Sequence, residues 1–359
     1  MATPKQTLWA IEPHTQAKHK ILEHYLKAWF PILSRYHGRI IYLDGFCGPG
    51  RYTGGEVGSP LVAIEVAKNH LHKFTGELVF IFIDERKDRI DNLDSELEKL
   101  SLPDNFNIYL EVGEFDKVID NVLNKLEKEK STLAPTFAFI DPFGFSGIPF
   151  SVVKKLLTNS KVEVLITFMN ARINQFITDE NNPHIVEVFG SKDIIEIIKK
   201  STNRISEIRN FYQKQLSEVS KFVRYFEMRD SNNRPIYDLF FASNHPLGHV
   251  KMKEAMWKVD DEGYYSFSDN TDPNQPLLFK RETSKVLFDI INKNKKRNEC
   301  KCSDIKKYVE DYTGFLEKHM KGALKYAEEN KLITVEPIKS DGQKRRKGTF
   351  PDEVIIKFI

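Results

Sequence analysis

The sequence predicts a doubly wound α/β body followed by a small helical domain that ends in a basic hairpin. Three observations carry that reading. Continuous apolar runs alternate with helical patterns between residues 39 and 168, as in a parallel sheet covered on both faces. Two further apolar runs, Phe222–Met228 and Pro235–Ala242, flank the polar turn Asp230–Arg234 and read as an antiparallel hairpin. Beyond a Pro- and Asn-containing linker at 271–280, three helical patterns and two short strand-like runs close the chain.

Each element follows from its residues. Ala17, Ile21, Leu22, Tyr25, Leu26, Ala28 and Trp29 recur at helical spacing, giving the first helix one apolar face. Arg39–Asp44 is a short apolar run that ends on an acid and enters a glycine-rich stretch. Ser59-Pro60 opens a helix to about His70, with Ser59 as the expected N-cap and Pro60 in the first turn. Leu78–Ile83 is a β-branched and aromatic strand ending at Asp84, and a charged helix follows from Arg86 to about Leu100. Asn107–Val112, Thr136–Ile140 and Val162–Phe168 complete the five strands, separated by helices at 116–130 and Phe150–Asn159. Residues 184–220 read as mostly helical. The last domain is expected to hold helices at 282–293, 303–312 (N-cap Ser303) and 315–330, then strands Leu332–Pro337 and Val354–Ile359. The resulting boundaries are 1–270 for the body and 281–359 for the basic domain.

Composition bounds the function classes. The chain has 359 residues, 40% apolar and 29% charged, which suits globular domains and excludes disordered, collagenous or disulfide-framework chains. No run approaches the ~20 apolar residues of a membrane span. The N-terminus lacks an apolar signal core, and three cysteines, Cys47, Cys300 and Cys302, fit a reducing, cytoplasmic setting. Cys300-x-Cys302 alone cannot complete a zinc site, no His-Glu-x-x-His appears, and no metal is expected. Residues 281–359 carry 19 Lys and Arg against 13 Asp and Glu, net +6, while the remainder is net −3. That asymmetry points to nucleic acid, although a solvated charged surface reads the same way.

The sharpest motif is Asp44-Gly45-Phe46-Cys47-Gly48-Pro49-Gly50. Glycines after a strand-ending acid let the backbone turn tightly and approach a ligand. The spacing Gly-x-x-Gly-x-Gly does not fit the nicotinamide fingerprint, and it resembles motif I of S-adenosylmethionine (SAM) methyltransferases. The strand programme, five alternating strands and a hairpin, is similar to the class I fold of those enzymes. A structural strand-to-helix turn remains the plain alternative. Asp84, with Glu85 as its near alternative, stands where a carboxylate accepts the ribose hydroxyls of a nucleoside; an ordinary helix-start acid would look the same. Gly113-Glu114-Phe115 follows the third strand, where the resemblance implies adenine contacts. Asp141-Pro142-Phe143-Gly144 ends the fourth, and is similar to the Asp-Pro-Phe-Gly of tRNA guanine dimethyltransferases. It departs from the Asp/Asn-Pro-Pro-Tyr/Phe of adenine and cytosine amine methyltransferases at Phe143, which leaves the target base open.

Larger blocks carry a further resemblance. Pro13-His-Thr-x-Ala-Lys-His19 with Tyr25-Leu-x-Ala-Trp29, Tyr42-x-Asp-x-Phe-x-Gly-Pro-Gly50 with Gly58-Ser-Pro-Leu61, Asp141–Gly144, and His245-Pro-Leu-Gly-x-x-Lys-Met-Lys-Glu-Ala-Met-Trp257 together resemble the three-Cys-motif partner proteins (TcmP), over about residues 8–265. The resemblance implies a neighbouring partner with a three-cysteine, radical-SAM-like motif.

The sequence therefore predicts a SAM-dependent methyltransferase acting on an exocyclic base amine of DNA or RNA, with a winged helix at its C-terminus. Asp44, Gly45, Phe46, Gly48 and Gly50 would hold the methionine end, Asp84 the ribose, and Glu114 and Phe115 the adenine. Asp141 and the Pro142 carbonyl would orient the amine, and Phe143 would stack on the base. Lys318, Lys321 and Lys325 on the third helix of the basic domain, with Lys344, Arg345, Arg346 and Lys347 at its hairpin, would contact phosphates. A non-catalytic adaptor that delivers the radical-SAM-like partner to nucleic acid is the main rival, and a DNA-binding regulator the second.

Overall fold

Apolar runs long enough to be buried on both sides pair side by side, and in this chain they build one sheet. A computed structural model describes residues 5–178, 183–260, 263–269, 281–295, 298–336 and 344–359. The expected linker at 271–280 and part of the basic hairpin, 337–343, lie outside the described residues. The chain divides into two compact units, Met1–Val259 with Ser266–Asn274, and Asp260–Tyr265 with Gln275–Ile359.

The first unit begins with α1 (Pro13–Ser34), β1 (Arg39–Asp44), α2 (Ser59–Lys68), β2 (Glu77–Asp84), α3 (Lys87–Leu97) and β3 (Phe106–Val112). It continues through α4 (Phe115–Lys128), β4 (Thr136–Ile140), α5 (Phe150–Thr158) and β5 (Val162–Phe168). Four helices follow, α6 (Asn170–Phe176), α7 (Pro183–Phe189), α8 (Asp193–Lys200) and α9 (Arg204–Ser217). The hairpin β6 (Phe222–Arg229) and β7 (Pro235–Ser243), helix α10 (Pro246–Met256) and the short β8 (Ser266–Ser268) complete it. Among the described residues the strand order is β3-β2-β1-β4-β5-β7-β6-β8. Strands β1 to β5 are mutually parallel, and β7 runs antiparallel between β5 and β6. A parallel five-stranded half closed by an inserted antiparallel β7 resembles the class I SAM methyltransferase arrangement. Because the order reverses at β1 and β4, their carboxyl ends open a crevice at the switch point.

A buried carboxylate fixes α1 and α10 against this sheet. Glu163, near the start of β5, accepts hydrogen bonds from Tyr25 Oη (2.7 Å), Trp29 Nε1 (2.8 Å) and Ser243 Oγ (2.6 Å). Burial raises its pKa, and these three donors oppose the rise. Gly248, in the first turn of α10, lies so close that an added Cβ would overlap Glu163 Oε1. Two of the sequence blocks, Tyr25–Trp29 and His245–Trp257, thus meet at one structural knot.

Two expected caps differ. Gly58 is the N-cap of α2, because the Ser59 hydroxyl is turned to the Asp44 carboxylate. In the second unit α12 (Cys302–Tyr312) starts after Lys301. Its first amides, Cys302 N and Ser303 N, already donate to the carbonyls of Val354 and Asp352 at 2.8 Å, so Ser303 is not needed as a cap.

The second unit contains α11 (Thr283–Asn294), β9 (Glu299–Lys301), α12, α13 (Glu317–Glu329), β10 (Ile333–Val335) and β11 (Ile355–Phe358). Its sheet has the order β10-β11-β9, antiparallel throughout. Leu287, Phe288, Val309, Met320, Leu324 and Ile356 form its buried centre.

Gly248→Ala is expected to cost roughly 2 kcal/mol or more, the scale of an overpacked core site. Urea denaturation checks this; an unchanged midpoint would show that the Glu163 contact is not a constraint.

Candidate functional site

The glycine turn is built by backbone bonds between neighbouring strand ends. Gly45 N donates to Phe139 O and Cys47 N to Ile83 O, both at 2.9 Å. Gly48 has φ +63° and Gly50 φ +83°, left-handed conformations that favour glycine. Gly45 serves a different need: a Cβ there would meet the Phe115 ring at 2.5 Å. Cys47, inside the turn, is buried, and burial pushes its thiol well above the ordinary value.

The two strand-end acids hold this turn in different ways. Asp44 is fully buried and accepts from Phe46 N (3.3 Å) and Tyr42 Oη (3.2 Å). Burial raises its carboxyl to about 7, while Ser59 opposes the rise and the charge of Asp141 adds to it. Asp84 accepts from Gly48 N (3.1 Å) and Arg86 N (2.9 Å), with the Arg89 guanidinium 3.5 Å away. Asp84 therefore ties the turn to the end of β2.

A cavity of about 320 Å³ opens at the switch point. The turn contributes Phe46, Gly48 and Gly50; the end of β4 contributes Asp141, Pro142 and Phe143. The first turns of α1 supply His14, Thr15, Lys18 and His19. Lys18 Nζ lies 2.6 Å from each Asp141 carboxylate oxygen and 5.2 Å from the Tyr237 ring centroid. His19 is lowered to about 4, first by burial and then by the charge of Lys18, so it is neutral at pH 7. Thr167, at the end of β5, presents a buried hydroxyl with no hydrogen-bond partner among the described residues. Phe143 packs edge-on against Trp9 at 5.2 Å. The Arg89 guanidinium lies over both rings, 4.9 Å from Trp9 and 5.0 Å from Phe143.

Several expected residues lie elsewhere. Phe115 is buried beneath Gly45 and Phe46, its ring 5.5 Å from that of Phe46. It supports the turn from the core side, so the expected adenine contact is corrected to a packing role. Glu114 is exposed and paired with Lys117 at 2.5 Å; it too stands outside the cavity. Asp44, Gly45 and Asp84 stand behind the cavity wall and shape it. Residue type alone missed Trp9, Arg89, Tyr52, Thr167 and Tyr237. Arg89 sits in a charged helix, where its pattern reads as solvated, yet it is 2% exposed.

In the second unit the expected phosphate contacts divide. Lys321 pairs with Glu317 at 2.6 Å and Lys325 with Glu329 at 4.0 Å. Arg345 is nearly buried against Glu328 and donates to the carbonyls of Glu336 (3.2 Å) and Thr349 (2.8 Å). Arg345 is a fastener between α13 and the segment before β11, which corrects its expected exposed role. Lys318, Lys344, Arg346 and Lys347 are exposed.

No family model matches the sequence. No curated protein matches it either. Among solved structures, the chain is similar to an O-methyltransferase from Bacillus cereus in complex with SAH, at 15% identity over 65% of this chain and 82% of that one (TM-score 0.35). It is also similar to Trm1 from Pyrococcus horikoshii with S-adenosyl-L-methionine, at 11% identity over 72% and 75% (TM-score 0.34). The fold assignment rests on the strand order and directions themselves. Among the described residues no cluster of His, Cys, Asp and Glu is set to hold a metal, and no helix is long and apolar enough to cross a membrane.

The Asp44 shift fixes a pH dependence. Its folded pKa is about 7, against ~3.9 unfolded, so the folded state holds the extra proton between those values. Its contribution is complete below ~3.9 and lost as pH rises through 7. Asp44→Asn should therefore gain on the wild type between pH 4 and 7, by no more than roughly 4 kcal/mol, and level off above. Parallel denaturation curves across that range check this; a constant difference would refute it.

Proposed function

We propose that the protein is a SAM-dependent methyltransferase whose acceptor is an exocyclic amine of a nucleic-acid base. The observation that carries the reading is the meeting, in one crevice, of a side-chain-free glycine turn and the Asp141-Pro142-Phe143 end of β4. SAM supplies an electrophilic sulfonium methyl when bound. Its methionine end suits the turn at Gly48 and Gly50, with the buried Asp44 carboxyl behind it holding the turn through Phe46 N. Asp84 is the acid for the ribose. Its oxygens already take Gly48 N and Arg86 N, with Arg89 nearby, so ribose binding exchanges Arg89 for hydroxyls and moves Trp9 aside.

Asp141 would accept the amine hydrogen together with the Pro142 carbonyl, holding the nitrogen lone pair toward the methyl group. A carboxylate offers about four acceptor positions, and Lys18 takes two, which leaves room for the amine. Such positioning supplies much of the acceleration. Phe143 provides a face for the base once Trp9 withdraws, because a base must leave its stack to reach the site.

The second unit supports a nucleic-acid substrate. Its order of helix, strand, two helices and two further strands, with a three-stranded antiparallel sheet, supports reading it as a winged helix. Its net charge and the exposed Lys318, Lys344, Arg346 and Lys347 suit phosphate contact, with a steep salt dependence. The shared sequence blocks support membership of the three-Cys-motif partner proteins, and with it a radical-SAM-like partner.

Calorimetry should register SAM binding by the wild type and its loss in Gly48→Val, whose side chain cannot adopt the turn; a folded wild type that binds neither SAM nor S-adenosylhomocysteine would overturn the cofactor reading. Asp141→Ala should lower methyl incorporation into bulk nucleic acid by orders of magnitude while SAM affinity stays nearly unchanged. Incorporation at the wild-type rate would move the reaction to another site.

A further inference from the structure

The second unit carries a cleft that the charge pattern did not single out. It has a volume of about 640 Å³ and lies among α11, β9, α12 and β11. Tyr308 and Tyr312, one turn apart on α12, are stacked at its rim with centroids 5.9 Å apart and planes 24° apart. Tyr312 is 69% exposed, more than any other aromatic described in this unit. Burial of apolar surface drives folding, so a stacked aromatic pair left at a cleft rim presents a flat face for a ligand.

The cations of the cleft are placed differently from those of α13. Lys295, Lys301 and Lys307 all line it. Among the described residues none of the three is ion-paired, and Lys301 and Lys307 are exposed. Lys295 Nζ lies 4.6 Å from the centroid of the Phe358 ring, across the cleft floor. On α13, by contrast, Lys321 and Lys325 are paired with glutamates of the same helix. Two acids also line the cleft, Asp304 and Glu299, and Glu299 is paired with Lys357 at 3.1 Å. Two exposed lysines without an ion-pair partner among the described residues, Lys301 and Lys307, therefore line the same cleft as the exposed ring.

We infer that this cleft binds unpaired nucleotides, the tyrosine pair stacking on a base and Lys295, Lys301 and Lys307 taking the adjoining phosphates. The chemistry selects the ligand. Aromatic stacking needs a base face that a duplex hides, and is tolerant of base identity. Lysines at the edge of a stacking face follow the sugar–phosphate backbone and make binding salt-dependent. The inference rests on the reading of this unit as a nucleic-acid module and sharpens it: the strand is held single-stranded, the state in which a base amine is accessible for chemistry.

The test measures fluorescence anisotropy of the full-length protein with a labelled twelve-nucleotide oligouridylate, a twelve-nucleotide oligothymidylate and a duplex of the same length. The wild type is expected to bind the single strands more tightly than the duplex. Tyr312→Ala should weaken single-strand binding roughly tenfold, leave duplex binding unchanged and leave SAM affinity unchanged, because the variant lies in the other unit. Tyr312→Phe keeps the ring and should bind like the wild type. Equal single-strand affinity of Tyr312→Ala and wild type would overturn the inference. If Lys344→Ala/Arg346→Ala/Lys347→Ala abolished binding while Tyr312→Ala did not, the nucleic-acid reading would stand and the cleft would be rejected. Binding of no nucleic acid would reject both, and the SAM calorimetry would still decide the cofactor reading independently.

Discussion

The position of α1 depends on one buried carboxylate. Glu163 draws the middle of that helix onto the sheet through Tyr25 and Trp29, while Ser243 brings the end of β7 to the same point. At 1.5 Å per residue, Lys18 stands roughly 10 Å along the helix from Tyr25. A register error at Glu163 would therefore move Lys18 away from Asp141. Helix and sheet are pinned at two ends, by a structural acid at one and by a site acid at the other. The energetic logic is that of a buried acid with good partners: worth little against an apolar replacement, costly when one partner alone is removed.

That arrangement explains why the blocks singled out in the sequence do not all surround the cavity. His14, Lys18 and His19 reach it from the first turns of α1. Tyr25, Trp29 and Gly248 serve the distant knot instead. A polar residue on an apolar helix face carries the same sequence signal in both settings. Only the pairing of strands decides which acid it meets.

The fold was legible because continuous apolar strands state their own burial. Arg39–Asp44, Thr136–Ile140 and Val162–Phe168 have the boundaries that the sequence pattern assigned. Short elements were not legible: β8 and β9 span three residues each, too few to show a period. Within the site, position along a strand predicted which residues gather, as for Gly48, Asp141 and Phe143. It did not predict direction. Phe115 follows β3 as expected but begins α4 and points inward, because Gly45 leaves space for its ring. Arg345 and Lys347 look alike as charges; a nearby Glu328 makes the first a fastener.

The three cysteines are distributed so that they keep separate watch over the two units. Cys47 is sealed within the glycine turn and Cys302 is buried at the start of α12, while Cys300 is partly exposed. A thiol reagent meets Cys300 in the folded chain and reaches the other two only when their own unit opens. The order in which the three thiols are consumed thus records which half of the molecule gives way first, with no label introduced and no residue replaced.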